Sequence, residues 1–228
     1  MEKCAHLLVA QPEALRGQWL ERFFRDSVPD SPPFGNAVPD SLPSGNVEPV
    51  KPTFRELHIE LGCGKGLFAV ETAKREPDVL FLALEKVANV IVIALERTAQ
   101  EGLRNVRYIN EPVDDLATFF SEGEVSRIYI NFCDPWPARR HNKRRLTGRR
   151  FLEIYKQTLR PGGEIHFKTD DLPLFDFSLN EFEQCSFLLL NTLRDLHKNG
   201  PVGVMTDYEK KFYEQGAPIY GCVVRKAW

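Results

Sequence analysis

From residue 57 onward, short apolar runs alternate with stretches whose apolar residues recur every three or four positions. The first pattern suits strands covered on both faces, and the second suits amphipathic helices. The expected strands are 57–61, 79–84, 106–109, 127–131 and 164–168, with 187–192 and 219–225 as a final antiparallel pair. The expected helices are 66–75, 87–100, 113–120, 149–159 and 172–185, and Pro161-Gly162-Gly163 closes the fourth of them. Residues 13–25 also read as a helix, because Leu15, Trp19, Leu20, Phe23 and Phe24 fall on one face. This alternation of strand and helix implies an α/β fold with a mostly parallel, doubly wound sheet. Ligands in such sheets sit beyond the carboxyl ends of the strands.

The periodicity fails between residues 26 and 52. That stretch holds seven prolines and an imperfect tandem repeat, PDSPPFGNAV then PDSLPSGNVE. So few apolar residues with so many prolines suggest a flexible linker. The expected organisation is a helical extension (1–25), a linker (26–52) and the α/β domain (53–228). No apolar run approaches a membrane span, and residues 1–10 lack the long apolar stretch of a signal peptide, so the expected compartment is the cytoplasm. Five widely spaced cysteines with no CxxC pair argue against a zinc site or a disulfide framework. A net charge of −2 means that any nucleic-acid contact must come from a local patch.

Three places carry chemistry, each just after an expected strand. The first is Glu60-Leu61-Gly62-Cys63-Gly64-Lys65-Gly66. Glycine tolerates positive φ and lets a ligand approach the backbone. Leu67 stands where a dinucleotide fingerprint wants its third glycine, and no P-loop Lys-Ser/Thr follows. Next is Glu85, at the end of the second strand, where a carboxylate can accept both ribose hydroxyls. It also suits a charge at the next helix's N-terminus. The third place, NFCDPWPARRHNKRR at 131–145, is the most informative. Asp134 leaves the fourth strand, prolines stiffen the turn around Trp136, and then the charge inverts. Residues 139–150 hold six arginines and one lysine with no acid, which in a nearly neutral protein suggests contact with a nucleic-acid backbone. Trp136 and His141 suit either base stacking or packing. Asp170 ends the fifth strand and could share work with Asp134 or cap the next helix. Thr206 and Glu209 have capping-box spacing.

These motifs, with LEK at 84–86, PGGEIHFKTDD at 161–171, and TDYEKKF at 206–212 followed by GAPIY, resemble the bacterial tRNA (guanine-N7)-methyltransferase family over roughly residues 57–220. The resemblance implies a Rossmann-like class I methyltransferase. Such a fold has a seven-stranded, mostly parallel sheet, helices on both faces and an antiparallel last strand. It also implies S-adenosyl-L-methionine as cofactor, a variable-loop guanine of tRNA as substrate, no metal, no membrane, and a monomer or homodimer. Carried onto this sequence, the catalytic acid is Asp134. Cofactor contacts fall on Glu60, Gly62, Gly64, Gly66, Glu85, Pro112, Val113 and Asp134. RNA contacts fall on Arg139, Arg140, His141, Asn142, Lys143, Arg144, Arg145, Asp170, Thr206, Asp207, Tyr208 and Glu209. Two positions depart from the family: Pro112 replaces an Asp near the adenine, with Glu111 or Asp114 as substitutes, and Ala138 replaces a substrate lysine. The rival readings are a methyltransferase for another RNA base, since DPWP permutes a DPPW-like loop, and a non-catalytic tRNA-binding relative. A nicotinamide dehydrogenase fits less well, given Leu67 and the basic loop.

Overall fold

The computed structural model describes residues 2–26 and 54–227. From Ser27 on, the expected linker lies outside the described residues. Seven strands form one sheet: β1 (Glu56–Leu61), β2 (Val79–Leu84), β3 (Val106–Ile109), β4 (Val125–Asn131), β5 (Leu159–Thr169), β6 (Phe187–Leu193) and β7 (Tyr220–Lys226). Their order is β3-β2-β1-β4-β5-β7-β6. All neighbours are parallel except β7, which runs antiparallel to both β5 and β6. Strand order reverses between β1 and β4, so the loops after these two strands flank the crevice where such sheets bind ligands.

The helices are α1 (Trp19–Asp26), α2 (Leu67–Arg75), α3 (Ala88–Gln100), α4 (Leu116–Phe119), α5 (Arg149–Thr158), α6 (Leu172–Gln184) and α7 (Asp207–Glu214). One apolar cluster joins α1, α4, α5 and α6 to the sheet, and a second joins α2 and α3. The alternation along β2 shows why both faces are covered. Leu80, Leu82 and Leu84 enter the first cluster, while Phe81 and Ala83 enter the second.

Three local expectations are corrected. The helix expected over 13–25 is broken: Pro12–Leu15 is a 3-10 turn, Gly17 sits at φ +79°, and only then does α1 begin. Glu124 sets this break, because its carboxylate accepts from the Gly17 and Trp19 N–H groups (2.9 and 3.3 Å). Trp19 is fully buried in the first cluster, and its indole N–H donates to the Phe119 carbonyl at 2.9 Å. The extension therefore shares the core of the α/β domain. Second, the segment 113–120 splits into a 3-10 turn, Val113–Asp115, followed by α4. Third, Pro161-Gly162-Gly163 does not separate helix from strand. β5 already starts at Leu159, pairs with Val125 there and resumes at Glu164 opposite Arg127, so the PGG residues bulge out of the ladder. Residues 207–214 form a helix that starts at the Thr206–Glu209 capping box, although the apolar pattern does not announce it, because its buried residue is Glu209.

Candidate active site

β1 delivers Glu60 and the glycine turn to the crevice. Gly62, Gly64 and Gly66 all have positive φ. Gly66 has a second reason to lack a side chain: a Cβ there would lie 2.6 Å from the Ala94 Cβ and 2.9 Å from the Tyr108 hydroxyl. The turn is fixed to β2 by the Gly62 and Cys63 N–H groups, both donating to the Leu84 carbonyl at 2.9 Å. Glu85 completes it. Its carboxylate accepts from the Gly64 N–H (3.1 Å) and the Val87 N–H (2.9 Å). Each of these oxygens retains acceptor capacity toward a cleft of about 790 Å³ that Glu85 lines with Gly62, Lys86 and Val87.

Glu60 is 1% exposed. The Asn131 side-chain amide donates to its Oε1 at 2.9 Å, while Oε2 has no partner, and neither does the Asn131 Oδ1. Burial pushes the Glu60 carboxyl up to about 7, against the lowering effects of the Asn131 bond and the Lys168 charge and with Glu85 adding repulsion. Two buried acceptors without donors lie side by side at the ends of β1 and β4, where Asn131 lines the cleft, and they suit a ligand ammonium. In the sequence, Asn131 ends a strand and opens the 131–145 motif, with no role of its own assigned. Its role follows from the pairing of β1 with β4, which sets the two strand ends side by side.

Pro112 and Val113 are the residues expected near the adenine. Pro112 and Val113 line the cleft with Glu111 and Asp114. Pro112 precedes the 3-10 turn in extended conformation and offers no N–H. Glu111 and Asp114 both bring carboxylates there; Asp114 is ion-paired to Arg150 at 2.7 Å, and Arg150 also lines the cleft.

The opposite wall comes from the loop after β4. Phe132 and Trp136 are non-glycine residues with positive φ (52° and 43°), a strained geometry of the kind found at functional sites. Asp134 lies between them, exposed and lining the cleft. Burial, then the nearby Asp134 charge, pushes the adjacent Cys133 thiol up to about 12, so it stays protonated and is no nucleophile. The basic run that follows forms a 3-10 turn, Arg139–Arg144, with Ala138 at its start. Arg139, Arg140, Lys143 and Arg144 are exposed, and His141 and Asn142 are half-buried. Trp136 packs edge-on against His141 (5.7 Å) and beneath the Arg144 guanidinium (4.8 Å), so the turn rests on the loop that carries Asp134.

Two residues expected to contact RNA are engaged inside the protein. Arg145 is 7% exposed, donates to the Pro135 and Trp136 carbonyls (2.9 and 3.2 Å) and lies over the Phe177 ring. It holds the loop and does not face solvent. Glu209 is fully buried and bonded to Lys168, His197 and the Thr206 N–H. The capping box that its spacing suggested is formed with Thr206. The neighbouring residues do reach the surface. Tyr208 packs against Phe132 (centroids 5.1 Å apart), its hydroxyl lies 3.4 Å from the Asp170 carboxylate, and Asp207 pairs with Arg97 (2.9 Å). Asp170 is free for this contact because Asp171 caps α6, accepting from the Leu174 N–H at 2.6 Å.

Among the described residues no group of His, Cys, Asp and Glu could hold a metal ion, and no helix is long and apolar enough to cross a membrane. Residues 55–222 match the profile of a family described as "Putative methyltransferase". The chain is 41% identical over 216 residues to a tRNA (guanine-N(7)-)-methyltransferase of Geobacillus kaustophilus (strain HTA426), covering 94% of this chain and 87% of that one. Against the enzyme of the same name from Geobacillus sp. (strain WCH70) it is 47% identical over 170 residues, 74% and 77% of the two chains. Among solved structures, the 16S rRNA methyltransferase KamB superposes with a TM-score of 0.60 at 12% identity, covering 77% of this chain and 89% of that chain. A SAM-dependent methyltransferase from Aquifex aeolicus gives 0.54 at 13% identity, covering 75% and 82%. The fold is thus that of the SAM-dependent methyltransferases, and the chain belongs to the tRNA (guanine-N(7)-)-methyltransferase family.

Proposed function

We propose that this protein moves the methyl group of S-adenosylmethionine to N7 of a guanine in the variable loop of tRNA, in the cytoplasm, with Asp134 as the acid at the reacting end. The observation that carries the reading is one loop with two faces. Asp134 lines the cleft, while the exposed cationic turn 139–144 begins five residues later on the same proline-stiffened segment.

Glu60 and the Asn131 Oδ1 would hold the cofactor's ammonium, Glu85 its ribose hydroxyls, and Val113 and Asp114 its adenine edge. When bound, the cofactor supplies an electrophilic methyl on a sulfonium. The residues around it need little acid–base work. Guanine N7 carries an exposed lone pair and no proton, so the enzyme's task is alignment. Asp134 can accept from the N1–H and N2 amino group of the guanine. That fixes the ring and stabilises the positive charge it gains. Phe132 and Tyr208 give the base an aromatic wall, with Asp170 beside it. Arg139, Arg140, Lys143 and Arg144 face phosphates, with no role in the chemistry itself.

The test is incubation with bulk tRNA and labelled methyl donor, followed by mapping of the modified nucleotide. The expected product is 7-methylguanosine in the variable loop. Label in N6-methyladenine, or none despite cofactor binding, would overturn the reading.

A further inference from the structure

Helix α7 is eight residues long, and its buried residue is a glutamate. Helices usually dock through an apolar stripe. Here the docking group is a carboxylate, and both of its oxygens are engaged. Glu209 Oε2 receives the Lys168 ammonium at 2.6 Å and the Thr206 N–H at 3.2 Å. Oε1 receives His197 Nε2 at 2.9 Å. The histidine tautomer is set from behind, because the Val202 N–H donates to Nδ1 at 3.1 Å and leaves the proton on Nε2.

Lys168 stands on β5 two residues before Asp170, with its side chain 14% exposed. Its ammonium also donates to the Val204 carbonyl at 3.0 Å and lies 5.1 Å from the Phe68 ring centroid. Burial pulls its pKa below the ordinary lysine value, while Glu209 opposes that shift. So one buried cation ties the end of β5 to the 194–206 connection and to the first turn of α7. Tyr208 precedes Glu209 directly and faces the other way, against Phe132 and Asp170.

We propose that Lys168, Glu209 and His197 form a clamp that positions Tyr208 at the base-binding end of the cleft, acting on methyl transfer only through that side chain. Buried ion pairs add little net stability but fix geometry, since their bonds tolerate few alternatives. An apolar contact would hold α7 as firmly and let it slide. A slide of one residue would turn Tyr208 away from Phe132. The inference rests on the reading of Phe132 and Tyr208 as the wall for the guanine.

The test is a cycle between the clamp and Tyr208. Lys168→Met with Glu209→Gln leaves no buried unpaired charge, and glutamine can keep the capping box. Cofactor affinity is measured at pH 8.5, above the range where Glu60 titrates. There the paired variant should bind cofactor within about twofold of wild type while kcat/KM for tRNA falls roughly tenfold or more. In a Tyr208→Ala background the same pair should cost less than about twofold. His197→Phe, which leaves the ion pair intact, should give a smaller loss that also vanishes in that background, and it serves if the paired variant does not fold. Losses that multiply with an impaired Tyr208→Ala enzyme overturn the clamp alone. Wild-type turnover by Tyr208→Ala overturns both the clamp and the aromatic wall.

Discussion

The two walls of the cleft are built by opposite means. The wall proposed for the cofactor is backbone and buried acid: a glycine turn bonded to Leu84, Glu85 bonded to two N–H groups, and Glu60 at 1% exposure. The wall proposed for RNA is exposed cation and aromatic, with strained backbone at Phe132 and Trp136. A small ligand can be enclosed, so its recognition groups can be desolvated in advance. A tRNA cannot, so its recognition depends on charge reaching out through water, which salt screens. Asp134 lies where the walls meet, and the sharpest way to break the comparison is to remove it. Asp134→Ala should lower kcat by about 100- to 1000-fold, the usual scale for a group that stabilises developing charge. Cofactor and tRNA affinities should stay within a few fold. Near-normal turnover would strip Asp134 of its role.

Adjacent arginines offer a second, smaller contrast. Arg145→Ala removes the bonds to the Pro135 and Trp136 carbonyls, so it should lower both melting temperature and turnover. Arg144→Ala should leave the melting temperature nearly unchanged and weaken tRNA binding. Its salt slope should be shallower by about 0.7 to 0.9, because one phosphate is no longer neutralised. Identical salt slopes in wild type and Arg144→Ala would mean that this guanidinium touches no phosphate.

This pair also shows what the sequence could and could not convey. Strand positions and the order of motifs were legible because apolar runs and glycine turns are local signals. The basic run was legible as charge, but which arginine faces out was not. Burial of Arg145 depends on Phe177, which lies on α6 and is remote in sequence. Glu209 repeats the lesson: its spacing from Thr206 predicts the cap, and only the arrival of Lys168 and His197 explains why it is buried. The break at Gly17 was hidden for the same reason, since Glu124 makes it from across the fold. Long-range partners decided each case, and periodicity does not encode them.

Glu60 offers the mildest test of the cofactor wall, and its sign can be worked out. Its carboxyl is raised by burial from the ordinary value near 4.5 to about 7. The folded apo protein therefore favours the neutral form. This group's contribution to stability is fully present below pH 4.5 and is lost as pH rises through 7. Glu60→Gln should remove that loss, so the variant gains stability relative to wild type between those limits. Cofactor binding runs the other way. An ammonium at Oε2 and at the Asn131 Oδ1 favours the carboxylate, so affinity should rise about tenfold from pH 6 to pH 8 and release close to one proton at the lower end. Titration calorimetry in buffers of different ionisation enthalpy counts that proton. In Glu60→Gln the pH dependence should flatten while the weaker binding remains. A wild-type affinity that is flat across this range would mean that the ammonium is held elsewhere, and the buried wall would then differ from the RNA wall in construction but not in its use of charge.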